Sequence, residues 1–151
     1  FLGYWNDNEA TQNKFIDDWC VLGDLAHRDE DGYFWFKARD DDVINSSSYR
    51  IGPTEVEECL VQHPAVFLAG VIGSPDLVRG EIVKAYVVLR DGYMTSETLI
   101  QEIQTFVRSR LSAHEYPRQV RIISKMPLTI SGKIRRVALR EFDTLEHKTQ
   151  S

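Results

Sequence analysis

The order of elements along the chain predicts an α+β fold: a small sheet covered by helices, preceded by a β-hairpin built to complete a different packing unit. Three observations carry this reading. A dense aromatic run, Tyr33-Phe34-Trp35-Phe36-Lys37, follows an Asp-Gly turn. Further on, apolar runs of strand length at 65–72 and 82–89 are flanked by stretches with helical spacing. Between these regions lie three consecutive acids, Asp40-Asp41-Asp42, which resist burial in helix or sheet and mark an exposed boundary.

From the start, residues 8–15 suit one or two helical turns, and 19–38 reads as a hairpin whose tip is Arg28-Asp29-Glu30-Asp31-Gly32. After the acids, Val43-Ile44, Asn45-Ser46-Ser47-Ser48 and Tyr49-Arg50-Ile51 form a second, short hairpin with a polar tip. Gly52-Pro53 opens a helix, because proline suits the first turn and Glu55 favours its positive end. Val56, Cys59 and Leu60 share a face of that helix, and His63-Pro64 stops it. The segment 73–81 between the apolar runs is expected to be a long polar loop. A second helix starts at Thr95 or Ser96 and carries Leu99, Ile103, Phe106, Val107 and Leu111 on one side. Residues 119–123 form a further strand, Ser131-Gly132 a tight turn, and 134–142 a terminal basic helix.

Composition excludes several classes. With 42% hydrophobic and 11% aromatic residues the 151-residue chain can fill a core. A net charge of -5 argues against a nucleic-acid binder, which normally carries a basic face. No apolar run approaches the roughly 18 residues of a membrane-spanning helix, and no basic, apolar, small-residue leader is visible. The 2 cysteines, Cys20 and Cys59, lack partners at metal-ligand spacing and read as small core hydrophobes. A cytoplasmic protein without disulfides is the expectation. The apolar opening Phe1-Leu2-Gly3-Tyr4-Trp5 reads as the middle of a longer chain.

The motifs Leu22-Gly23-Asp24, Arg39-x-Asp41-Asp42, Ser47-x-Tyr49-Arg50-Ile51-x-Pro53-x-Glu55-Val56-Glu57 and Ser131-Gly132-Lys133-Ile134-Arg135-Arg136 occur in that order. Together they resemble the C-terminal region of the adenylate-forming (AMP-binding) enzymes. The nearest resemblance is to the medium-chain acyl-CoA synthetases, through Asp29-Glu30-Asp31-Gly32-Tyr33-Phe34-Trp35-Phe36 and Val78-Arg79-Gly80-Glu81-Ile82-Val83-Lys84-Ala85. The resemblance implies that 1–40 is the tail of a large AMP-binding domain and 41–151 a small mobile lid. The enzyme would be an ATP-dependent acid–CoA ligase, making acyl-CoA, AMP and pyrophosphate, with Mg²⁺ accompanying ATP. No metal-ligand set is identifiable in the sequence.

By the same resemblance Lys133 is the catalytic cation of acyl-adenylate formation. Its ammonium can offset the repulsion between a carboxylate and the α-phosphate, and Gly132 lets the loop come close. Asp24 would accept hydrogen bonds from the ribose of ATP, with Arg39 and Arg50 contacting the nucleotide or fixing the closed pose. Asp41 would be the hinge. Coenzyme A would lie against Ser47, Ser48 and Tyr49, with Arg79, Arg108, Tyr116, Pro117 and Arg118 toward its phosphate-bearing end. Read singly, Asp24 is equally a turn cap, Lys133 a solvated lysine and Ser46-Ser47-Ser48 a polar turn tip.

Leu22, Ala38 and Ser48 depart from the residues usual in the family. Ser48 replaces a glycine near the path of the thiol arm. The expected partners are the large domain, coenzyme A and a carboxylic acid bound outside this chain. A homodimer through residues 1–38 is also expected, because their aromatics would lack a covering layer. The phosphate loop and acyl pocket of the family have no counterpart in the sequence. Two other readings remain: a free-standing, non-catalytic module that binds coenzyme A or docks on a separate large domain, and an adenylation domain serving a carrier protein.

Overall fold

A computed structural model describes residues 1–150; Ser151, the last residue of the expected lid, lies outside the described residues. The chain forms two compact units, Phe1–Asp41 and Asp42–Ser151.

In the first unit, α1 (Asn8–Gln12) is capped by Asp7, whose Oδ1 accepts the Ala10 N–H at 2.9 Å. β1 (Phe15–Ile16) and β2 (Trp19–Cys20) form a minimal ladder. β3 (Asp24–Arg28) and β4 (Phe34–Arg39) make the main hairpin. The hairpin expected over 19–38 therefore begins later. Asp17, with φ 53, turns the chain so that Trp19 and Cys20 pair back onto Ile16 and Phe15. Cys20 is consequently exposed, which corrects its placement in a core. At the hairpin tip Asp29 accepts from the Tyr33 N–H at 2.8 Å and the Trp35 Nε1–H at 2.6 Å. Consecutive aromatics put rings on both faces of a two-stranded ribbon, and Trp19, Tyr33, Phe34, Trp35 and Phe36 are all exposed.

The second unit is an α+β sandwich. A short 3₁₀ turn over Asp40–Asp42 leads into β5 (Ile44–Ser46) and β6 (Tyr49–Ile51), paired as the sequence predicts. α2 (Pro53–Val61) follows, with Pro53 in its first turn and Val56, Cys59 and Leu60 buried. β7 (Val66–Asp76) and β8 (Gly80–Leu89) are antiparallel over nearly their whole length. The polar loop expected over 73–81 is thus only a turn at 77–79. Pairing overrides the local breakers, and Pro75 sits opposite Glu81 within the ladder. α3 (Glu97–Arg108), capped by Ser96, buries Leu99, Ile103 and Val107. It crosses over to β9 (Gln119–Ile122), which is parallel to β8. α4 (Arg136–Gln150) starts later and runs longer than the expected 134–142, with acids interleaved among its basic residues.

Period-2 alternation along β8 assigns its side chains to two layers. Val83, Ala85 and Val87 join the cluster built with Leu60 of α2 and Ile103 of α3. Tyr86 instead joins Ile72, Met126 and Leu139 beneath α4. Helices therefore cover both faces of the sheet. Lys84 lies on the α4 face, where the apolar run gives no warning of a buried charge. It is 5% exposed, and its Nζ meets Asp143 Oδ1 at 2.6 Å and Glu146 Oε2 at 2.7 Å. Asp143 also accepts from Ser74 Oγ at 2.8 Å, and this contact carries α4 past its expected end. No helix of the described residues is long and apolar enough to cross a membrane.

Candidate functional site

In the first unit the sequence candidates converge on one cluster. Asp24 and Arg39 are cross-strand partners, so the β3–β4 register itself brings them together. Arg39 Nη1 lies 3.2 Å from Asp24 Oδ1 and donates to the Leu22 carbonyl at 3.2 Å, while its Nε reaches Asp41 Oδ1 at 3.3 Å. Hydrogen bonding and charge from Asp41, then Asp24, hold the guanidinium's pKa above its ordinary value. Gly23, with φ 77, makes the turn that lets Asp40 N–H return to its carbonyl at 2.9 Å. All three side chains are well exposed, at 45% for Arg39, 41% for Asp24 and 70% for Asp41. The cluster offers two carboxylates and a forked cation to solvent, a set suited to hydroxyl donors on one side and phosphate oxygens on the other.

In the second unit, Ser47, Tyr49, Arg79 and Arg118 line one cavity of about 230 Å³, together with Ser46, Ala113 and His114. Hydrogen bonds from backbone N–H groups assemble it. The Ser47 N–H donates to the Arg79 carbonyl at 2.7 Å, and the Asn45 N–H to Glu81 Oε2 at 2.7 Å, docking the β5–β6 tip onto the β7–β8 turn. Asp76 Oδ1 accepts the N–H groups of Val78 and Arg79 at 3.0 and 2.8 Å, which fixes that turn. Arg118 is held from three sides. Its N–H donates to the Val83 carbonyl at 2.9 Å, its carbonyl accepts from Gln104 Nε2 at 3.0 Å, and its Nη1 donates to Tyr116 Oη at 3.2 Å. The guanidinium groups of Arg108 and Arg118 lie 5.4 and 5.2 Å from the Tyr116 ring centroid, so these residues form a cationic aromatic patch. Pro117 is buried behind them.

Arg50, Ser48, Arg108, Tyr116 and Pro117 do not line the cavity itself. Ser48 is exposed at the hairpin tip, and the left-handed residue there is Ser47, with φ 56. Backbone strain therefore gives no reason for glycine at position 48. Sequence reasoning missed His114, whose ring stacks on Tyr49 at 3.9 Å with an interplanar angle of 11°. No local pattern marks that contact, since the strand pairing alone brings distant parts of the chain together.

Lys133 stands exposed on a closed turn. Thr129 N–H donates to the Lys133 carbonyl at 2.7 Å, Lys133 N–H to Thr129 Oγ1 at 3.0 Å, and Leu128 bridges to Ile134. Gly132 has φ 81, and a Cβ there would meet nothing within 4 Å, so the glycine serves the turn conformation rather than a crowded approach. The arrangement presents the Lys133 side chain to solvent from a hydrogen-bonded turn.

Among the described residues, Asp42 corrects the reading of 40–42 as uniformly solvated. Its carboxylate is 13% exposed, 3.0 Å from Arg136 Nη1 and 2.7 Å from Arg140 Nη2. No group of three or more His, Cys, Asp or Glu among the described residues is placed to hold a metal ion.

Comparisons with known proteins agree with this architecture. The profile of the AMP-binding enzyme C-terminal domain matches residues 55–133. The rat (Rattus norvegicus) mitochondrial acyl-coenzyme A synthetase ACSM5 is 51% identical over 142 residues, covering 93% of this chain and 25% of the relative. The acetyl-coenzyme A synthetase of Bacillus subtilis is 50% identical over 140 residues, covering 92% and 24%. Among solved structures, the anthranilate CoA ligase AuaEII in complex with anthranoyl-AMP superposes with a TM-score of 0.85 at 35% identity, covering 97% of this chain and 28% of that one. The ATP-bound RpMatB-BxBclM chimera gives 0.83 at 34%, covering 93% and 28%. The chain thus spans about a quarter of the length of these relatives. With its helix-covered sheet and the match over 55–133, this chain belongs to the AMP-binding enzyme C-terminal domain family, whose similar members here are acyl-CoA synthetases.

Proposed function

We propose that the chain is the C-terminal part of an ATP-dependent acid–CoA ligase, with 1–40 completing a large AMP-binding domain and 41–151 acting as its lid. A carboxylate oxygen attacks the α-phosphate of ATP, giving acyl-AMP and pyrophosphate. The thiol of coenzyme A then attacks the acyl carbon and AMP leaves. In the first step Lys133 offsets charge that builds on the joining oxygens, without changing its own protonation. Asp24 and Arg39 hold the nucleotide, and Arg50 fixes the closed pose. Mg²⁺ enters with the ATP phosphates. In the second step the lid turns at Asp41 and offers the cavity between the β5–β6 tip and the β7–β8 turn to coenzyme A.

One observation carries the reading: Ser47, Tyr49, Arg79 and Arg118, far apart in sequence, line one cavity and bring two arginines to it. In this reading Ser48, next in the chain to Ser47, and Pro117, next to Arg118, also face coenzyme A, and Arg108 adds a second cation over the Tyr116 ring beside Arg118. Forked, permanent cations suit the phosphate-bearing end of coenzyme A. The test is an NMR titration of the 151-residue chain with coenzyme A and with dephospho-coenzyme A. Shifts concentrated at Ser47, Arg79 and Arg118, and weaker with the dephospho compound, are expected. Equal or scattered responses to both ligands contradict the assignment.

A further inference from the structure

The Lys133 turn runs straight into α4, and the first residue of that helix is tied to two distant parts of the second unit. Arg136 Nη2 lies 2.6 Å from Glu57 Oε2 and its Nε donates to Glu57 Oε1 at 3.2 Å, a bidentate fork. Its Nη1 reaches Asp42 Oδ2 at 3.0 Å, and Arg140 Nη2 takes the other oxygen of Asp42 at 2.7 Å. Glu57 Oε1 also accepts the Val71 N–H at 2.8 Å, which fastens the fork to β7. The side chains of Arg136, Asp42 and Glu57 are 18%, 13% and 12% exposed. Exposed single pairs contribute little, whereas a part-buried, charge-balanced fork holds geometry, because removing one member strands the others away from water.

The position of the network matters more than its strength. Asp42 is the first residue of the second unit. At the other end, the Arg135 N–H donates to the Pro127 carbonyl at 2.9 Å and closes the neck of the Lys133 turn. A continuous set of short contacts therefore runs from residue 42, through Arg136, to the turn. Resting on the reading of Lys133 as the adenylation cation, we propose that Arg136 is a positioning residue. Held by Asp42 and Glu57, it makes the Lys133 turn move as one body with the start of the unit. Rotation at the neighbouring hinge is then delivered to the turn that carries the ammonium. A reacting geometry misplaced by an ångström can lose about a hundredfold in rate.

The test uses the full-length ligase that carries this chain, with the two half-reactions measured separately. Arg136→Gln is expected to slow acyl-adenylate formation by about 10- to 100-fold while leaving thioester formation from supplied acyl-AMP within about twofold. In a Lys133→Ala background the same substitution is expected to cost less than about twofold more, since a residue acting through Lys133 has nothing left to position. Arg136→Lys, which keeps the charge but not the fork, falls between. Asp42→Asn, a milder change at the same oxygens, repeats the test if Arg136→Gln does not fold. Equal losses in both backgrounds, or in both half-reactions, overturn the proposal. A Lys133→Ala enzyme with normal adenylation would instead overturn the role of Lys133, and this inference with it.

Discussion

Replacing Lys84 by methionine isolates the buried charge cluster beneath α4. Lys84 Nζ sits between Asp143 and Glu146 at 2.6 and 2.7 Å, with Lys84 and Asp143 side chains only 6% and 3% exposed. Burial pushes the ammonium's pKa down, but the hydrogen bonds it donates to Asp143 and Glu146 more than offset this and leave the pKa at about 12. Raising the pKa from 10.5 to about 12 corresponds to about 2 kcal/mol at 1.36 kcal/mol per pH unit. Removing one partner of a buried pair costs more, about 3–5 kcal/mol, because a carboxylate is left without its counter-charge. At roughly 4 °C per kcal/mol, Lys84→Met should lower the Tm by about 12–20 °C. Because the folded pKa lies above the unfolded one, the stabilisation is fully present below pH 10.5 and is lost as pH rises toward 12. The stability gap between wild type and Lys84→Met should therefore shrink over that alkaline window. Urea unfolding at pH 7 and across pH 10–12.5 reads both effects. A Lys84→Met/Asp143→Leu double variant should recover part of the loss, since it leaves no deeply buried carboxylate unpaired, and Glu146, 30% exposed, keeps Arg121 at 3.2 Å. A single variant within about 0.5 kcal/mol of wild type, the scale of an ordinary surface change, refutes the reasoning.

Two further outcomes are expected. Gly70→Ala should destabilise the chain by about 1–3 kcal/mol in thermal melts, because its Cβ would meet Leu139 Cδ1 at 2.7 Å and Ile134 Cγ2 at 3.1 Å; an unchanged Tm contradicts that packing. The exposed rings of Trp19, Phe34, Trp35 and Phe36 should make the isolated chain self-associate in light scattering at raised concentration, and Trp35→Ser should weaken this; a monomer at all concentrations contradicts it.

Local signals located much of the second unit. The spacing of Leu99, Ile103 and Val107 gave α3 its buried face, Pro53 marked the first turn of α2, and Asn45-Ser46-Ser47-Ser48 marked the β5–β6 tip, although Asn45 and Ser46 pair with Arg50 and Tyr49 as strand residues. What escaped depended on partners distant in the chain. Ser74 and Pro75 read as loop residues, yet β8 supplies a full set of backbone partners and Asp143 satisfies the buried hydroxyl. Gly73 read as part of the same loop, but a Cβ there would collide with the Glu81 carboxylate at 2.6 Å, and that carboxylate holds Asn45. Asp42 looked solvated because its counter-ions, Arg136 and Arg140, lie at the opposite end of the unit. The candidate residues came from ordered motifs. Their grouping into an Asp24–Arg39–Asp41 cluster and a Ser47–Tyr49–Arg79–Arg118 cavity came from strand register, which no single segment encodes.

If, as proposed, the second unit serves two reactions with different residues, the two half-reactions of the full-length ligase show it most directly. Lys133→Ala should reduce acyl-adenylate formation by about two to three orders of magnitude, the usual loss on removing a preorganised charge stabiliser. It should slow thioester formation from supplied acyl-AMP far less. Arg79→Ala should do the reverse, raising the KM for coenzyme A while sparing adenylation. If Lys133→Ala slows both half-reactions equally, the division of labour is wrong and Lys133 is a structural residue.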